Sequence, residues 1–138
     1  MFCMVKSFAL LTGLSESEVL NHLGSDPVEI VNEHRTDESR YRGVYIDELQ
    51  EVAIALDYKF YCINPLPKLE NGKPLWPEER LTARWEKHLS NNDGLLLGAG
   101  TDGKSHAVAW MGGKLIDPTG KINSLEEFST QFFIIIEK

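Results

Sequence analysis

Apolar residues recur mostly at three- and four-residue spacing up to Ser90, and in alternating or continuous runs beyond Asp93. The first pattern predicts amphipathic helices and the second predicts strands. In the opening MFCMVKSFALLTG, the positions Met4, Val5, Phe8 and Leu11 make one helical stripe, and Gly13 is suited to end it. Ser15-Glu16-Ser17-Glu18 reads as a capping box. The helix it starts turns Val19, Leu20 and Leu23 inward and stops at Gly24. Asp26-Pro27 predicts a further short helix, with proline at a first position where no N–H is needed. The charged, weakly patterned stretch Glu33–Gly43 reads as a loop. Ile46, Leu49, Val52, Ala53 and Leu56 then return at helical spacing.

KFYCI, Lys59–Ile63, is aromatic and β-branched and predicts the first strand. Pro65–Pro77 holds four prolines and a glycine, so a long loop is expected there. Glu78–Ser90 lines up Leu81, Trp85 and Leu89 on one helical stripe. The remainder reads as β: Leu95–Leu97, a hairpin at His106–Pro118, and Phe132–Glu137. Helices first and antiparallel strands afterwards predict an α+β fold, with an N-terminal helical half packed on a C-terminal antiparallel sheet.

The hairpin carries the chemistry. Gly112-Gly113 joins two apolar runs, and both glycines tolerate positive φ, which fixes the turn and the register. Met111 then faces Lys114, Ala109 faces Ile116, and Val108 faces Asp117. Period-two alternation puts His106, Val108 and Trp110 on one face with Leu115 and Asp117. His106 becomes the diagonal neighbour of Asp117, about 7–8 Å away between Cβ atoms. An imidazole and a carboxylate span that gap with one hydrogen bond. The carboxylate would then set the tautomer and favour the protonated ring.

Cys3 is the candidate nucleophile for this base. It falls in the first turn of the first helix, where unpaired N–H groups and the positive dipole end favour a thiolate. A thiol, then a histidine, then an aspartate is the order expected of a thiol hydrolase. Cys3 opening CMVKSFALLTGLS, then GLLLGAG, HAVAW and KLIDP, together resemble the papain-like cysteine peptidases. The similarity is to small bacteriocin-processing-peptidase-like domains of phage and bacteria. That resemblance implies a papain-like fold, Cys3 as nucleophile, His106 as general base and acid, and Asp117 as orienting carboxylate. It departs in one place. The family carries a Gln a few residues before its Cys, to help bind the oxyanion. Here Met1 and Phe2 stand before Cys3, and neither Gln50 nor Gln131 matches that position.

Composition narrows the partners. At 138 residues a single domain, 1–138, is expected, and 42% hydrophobic with 25% charged residues is ordinary for a globular chain. The net charge of −7 argues against nucleic acid, whose phosphates need a cationic surface, and leaves a protein or peptide substrate. No apolar run approaches the ~20 residues of a membrane span, and no secretion signal is visible. Two cysteines make no disulfide framework, and Cys62, inside a strand-like run, is expected in the core. These features predict a cytoplasmic protein, in the host cytoplasm if phage-encoded.

No metal or other cofactor is expected. His22, His34 and His88 pair with no Cys or carboxylate at a ligand spacing, and HExxH and CxxC are absent. The glycines at 98, 100 and 103 lack the Lys-Ser/Thr and the helix of a phosphate loop. Asp102 and Lys104 fit ordinary turn chemistry. Trp110 suits either the core or the flank of a site. Two rival readings stand beside the peptidase: a papain-like binding module that is weak or inactive as an enzyme, and a structural or inhibitory phage protein.

Overall fold

The computed structural model describes residues 3–24, 26–37, 43–64, 69–74 and 76–138, with only the backbone described at Leu69 and Glu70. Met1 and Phe2, positions 38–42 of the expected charged loop, and positions 65–68 and 75 of the expected proline-rich loop lie outside the described residues.

Three helices lead the chain: α1 (Cys3–Thr12), α2 (Glu16–Leu23) and α3 (Ile46–Ala55). Ser15 caps α2 as the sequence predicts. Its hydroxyl accepts from the Glu18 N–H, the Glu18 carboxylate accepts from the Ser15 N–H, and Gly24 ends the helix at φ 68°. The strands are β1 (Lys59–Ile63), β2 (Leu69–Glu70), β3 (Lys73–Pro74), β4 (Gly94–Ala99), β5 (Ser105–Met111), β6 (Lys114–Ile116) and β7 (Ser129–Glu137). The helix α4 (Glu78–Asn91) precedes β4, and a short 3-10 turn covers Leu125–Glu127.

Five strands form one antiparallel sheet in the order β1-β7-β4-β5-β6. Alternation along these strands builds two cores. Leu95, Leu97, Ala107, Ile134 and Ile136 face Val5 and Phe8 of α1, Val19 of α2, and Leu49, Val52 and Ala53 of α3. Leu96, Val108, Phe133 and Ile135 face the other way, onto Leu89 of α4 together with Ile122 and Phe128. Burying each large apolar side chain contributes about 1.5–3 kcal/mol, so both faces hold the sheet. The architecture is α+β, with the N-terminal helices on one sheet face and α4 on the other.

Two expectations are corrected. Asp26-Pro27 starts a turn and no helix: the Asp26 carboxylate accepts from the Val28 N–H at 3.1 Å, and the Pro27 carbonyl accepts from the Gly43 N–H at 2.8 Å. The second bond diverts the carbonyl that the first helical turn would need. The expected loop at Pro65–Pro77 also contains the β2–β3 hairpin. It turns at Asn71-Gly72, both at positive φ (51° and 76°), which is the Asn-Gly hairpin signal that the surrounding prolines overshadow.

Candidate active site

The β5–β6 hairpin has the register read from the sequence: Met111 opposite Lys114, Trp110 opposite Leu115, Ala109 opposite Ile116. Gly112 and Gly113 make the turn at φ 56° and 76°. Beyond Ile116 the ladder stops, and the chain carries Asp117 back toward the start of β5. The His106 Nε2–H donates to Asp117 Oδ2 at 2.9 Å. Both side chains are shielded, His106 at 8% exposure and Asp117 at none.

Four donors converge on the Asp117 carboxylate. The Thr119 hydroxyl and N–H reach Oδ1 at 2.7 and 2.9 Å, while His106 Nε2 and the Ile122 N–H reach Oδ2 at 2.9 and 2.8 Å. A carboxylate offers about four lone-pair sites, and here each has a donor. Burial alone would raise the pKa of Asp117. The hydrogen bonds from His106, Thr119 and Ile122 outweigh it and hold the group at about 2, down from an ordinary 3.8. An ionised carboxylate only accepts, so the shared proton sits on Nε2 and Nδ1 lies outside this bond. The Thr119 oxygen, 3.4 Å from Nε2, flanks the same bond. Thr119 and Ile122 were not legible in the sequence, because loop donors follow no periodic pattern.

Cys3 reaches this region through α1. The buried Ser7 hydroxyl donates to the Ala107 carbonyl at 3.3 Å. That carbonyl lies beyond the end of the β5–β6 ladder, where the register would bring Pro118, which has no N–H to give. Cys3 is four residues before Ser7 and shares its helix face. Four helical residues rise about 6 Å, nearly the length of two strand residues at about 3.3 Å each. Cys3 therefore comes level with Ser105 and His106. The two meet in the lining of a cavity of about 220 Å³, with Met4, Ile46, Leu97, Ala107, Gln131 and Phe132 around them.

The approach is across the sheet, not along one face. α1 covers the Ala107 face, while alternation assigns His106 to the face of Val108 and Trp110. Among the described residues no hydrogen bond joins Cys3 to His106, and Nδ1 has no partner. Thiol and imidazole share a cavity with no hydrogen bond between them. Proton transfer between them needs a closing movement or a bridging water, as is common in sites without substrate.

The remaining candidates sort by contact. Trp110 is partly buried against the second core: its indole N–H donates to the Leu89 carbonyl at 2.7 Å and ties α4 to the sheet. The Asp102 carboxylate accepts from the Lys104 N–H at 2.9 Å, closing a turn at the rim of a second cavity of about 190 Å³ that also touches His106. Cys62 is exposed, contrary to the expected core position, because β1 is an edge strand and the helical core reaches Phe60 but not Cys62. Its partial burial still pushes the thiol pKa upward. Among the described residues there is no cluster of three or more His, Cys, Asp or Glu side chains that could hold a metal ion. No helix among them is long and apolar enough to cross a membrane. We find no family model, curated protein or solved structure that matches this chain.

Proposed function

We propose that this chain is a papain-like thiol hydrolase acting on peptide or isopeptide bonds through Cys3, His106 and Asp117. The observation that carries the reading is the shielded 2.9 Å bond between His106 and an ionised, four-donor Asp117, beside a cavity that Cys3 also lines. Such a carboxylate costs desolvation and is worth that cost where it fixes an imidazole that must gain a proton. The substrate class is protein or peptide, since a chain of net charge −7 offers little to nucleic acid. Two free thiols suit a reducing cytoplasm, that of the host if the chain is phage-encoded.

The cycle follows from these groups. The Cys3 proton passes to Nδ1 of His106, and the thiolate sulfur adds to the substrate carbonyl carbon while the π pair moves onto oxygen. The intermediate collapses, the C–N bond breaks, and the amine leaves with the proton from Nδ1. Water then adds to the thioester, giving its proton to Nδ1, and the second collapse breaks the C–S bond, releasing the acid and returning the Nδ1 proton to the Cys3 sulfur. Asp117 keeps Nε2 protonated and the ring in one orientation throughout. The apolar wall formed by Met4, Ile46, Leu97 and Phe132 suits an aliphatic or aromatic substrate side chain.

One observation favours a rival, a papain-like binding module without turnover: Cys3 and His106 make no hydrogen bond. Mapping new protein N-termini in cells expressing wild type or Cys3→Ala separates the two readings. The peptidase reading predicts termini that vanish in the mutant, with partner pull-down retained. Equal pull-down with no Cys3-dependent termini would contradict it and support the binding module.

A further inference from the structure

We infer that Gln131 is the side-chain donor to the oxyanion, supplied by a bulge in the last strand. The inference rests on the thiol-hydrolase reading and adds a residue to it. Addition of a thiolate to a carbonyl puts a full charge on oxygen, and a donor aimed at that oxygen acts mainly on the transition state. Gln131 has the right chemistry and the right place.

Its placement follows from strand register. Leu97 of β4 lies opposite Phe132 of β7, but the next residue, Gly98, lies opposite Thr130. Gln131 is therefore the extra residue of a β-bulge, a device that re-aims side chains beside functional sites. Strict alternation would send Gln131 and Phe132 to opposite faces. The cavity that Cys3 and His106 line takes residues of both sheet faces at this end, and Gln131 and Phe132 both line it. Gly98 makes the bulge possible: a Cβ there would collide with the Ser129 carbonyl. It also faces His106 across β4 and β5, so bulge and base are locked in one register. The Gln131 side chain is not consumed elsewhere: no hydrogen bond ties it to another described residue. An amide NH2 on an exposed bulge residue is thus available in the cavity that a Cys3-bound substrate would enter.

In the adduct the sulfur–carbon bond forms, the carbonyl π pair becomes an oxygen lone pair, and a Gln131 N–H donates to that oxygen. Collapse restores C=O and releases the donor. No co-reactant beyond water is required.

The test compares two small electrophiles on the full chain, in a Cys62→Ser background. p-Nitrophenyl acetate acylates Cys3 through an oxyanion, whereas iodoacetamide alkylates it by direct displacement without one. Gln131→Met and Gln131→Ala should slow acylation about ten- to hundred-fold and leave alkylation within about twofold of wild type. Normal acylation in both variants, with Cys3 alkylated rapidly, would overturn the donor role and leave the hydrolase reading standing. A parallel fall in both rates would also overturn it, marking Gln131 as a positioning residue for Cys3. A wild-type Cys3 no more reactive than a free thiol toward either reagent would overturn the underlying reading, and the donor role with it.

Discussion

Cys3→Ala and His106→Ala should each slow p-nitrophenyl acetate turnover about 10³-fold, and the double variant should be no more than about threefold worse than either. Residues that work as one unit show this non-additivity, because removing the nucleophile leaves the base nothing to activate, and the reverse holds equally. General base and acid help alone is worth about 10²–10⁴-fold, which sets the scale for His106. Steady-state turnover in a Cys62→Ser background measures the effect without interference from the exposed second thiol. Losses that multiply would mean that Cys3 and His106 act independently. The shared cavity would then have no catalytic meaning.

The second large effect concerns Asp117. Asp117→Asn keeps the size of the side chain but turns an NH2 group toward two of the four donors, leaving buried groups unpaired. The cost should be about 2 kcal/mol at neutral pH, within the usual ~1–3 kcal/mol for an orphaned buried polar group. The same change should slow Cys3 alkylation, since the charge that favours protonated His106 is gone. Acid should narrow the stability gap. A carboxyl depressed from 3.8 to about 2 contributes stability that is fully present above pH 3.8 and is lost as pH falls through about 2. Urea unfolding of wild type and Asp117→Asn at pH 7, 4 and 2 measures both effects. A gap independent of pH would contradict this origin. Lost stability with unchanged alkylation would make Asp117 the anchor of the loop to Ile122 and nothing more.

Local sequence carried a good part of this site. The Gly112-Gly113 turn and period-two alternation give the β5–β6 register and, from it, the pairing of His106 with Asp117. The stripe of Val5 and Phe8 gives α1, and with it the position of Cys3 in the first turn. What sequence did not carry depends on long-range order. Gln131 reaches the cavity only because β7 returns between β1 and β4 and slips by one residue at Gly98. No local pattern announces such a slip. Thr119 and Ile122 donate from a loop whose shape is set by the carboxylate itself. The placement of α4 on the far sheet face follows from its Leu89 stripe meeting the second core, which periodicity alone cannot assign to a side. The exposure of Cys62 is hidden for a related reason: strand composition reads alike in the centre and at an edge.

The claim at the centre is that His106 activates Cys3. The rate of iodoacetamide labelling of Cys3 from pH 5 to 9, with Cys62 in the same chain as internal reference, tests it most directly. Activation predicts that Cys3 labels fast well below pH 8, while Cys62, its thiol pushed upward, labels only above the ~8.5 of a free cysteine. His106→Ala should move the Cys3 profile up to the free-thiol range. A wild-type Cys3 profile centred near 8.5 and unmoved by His106→Ala would contradict the account.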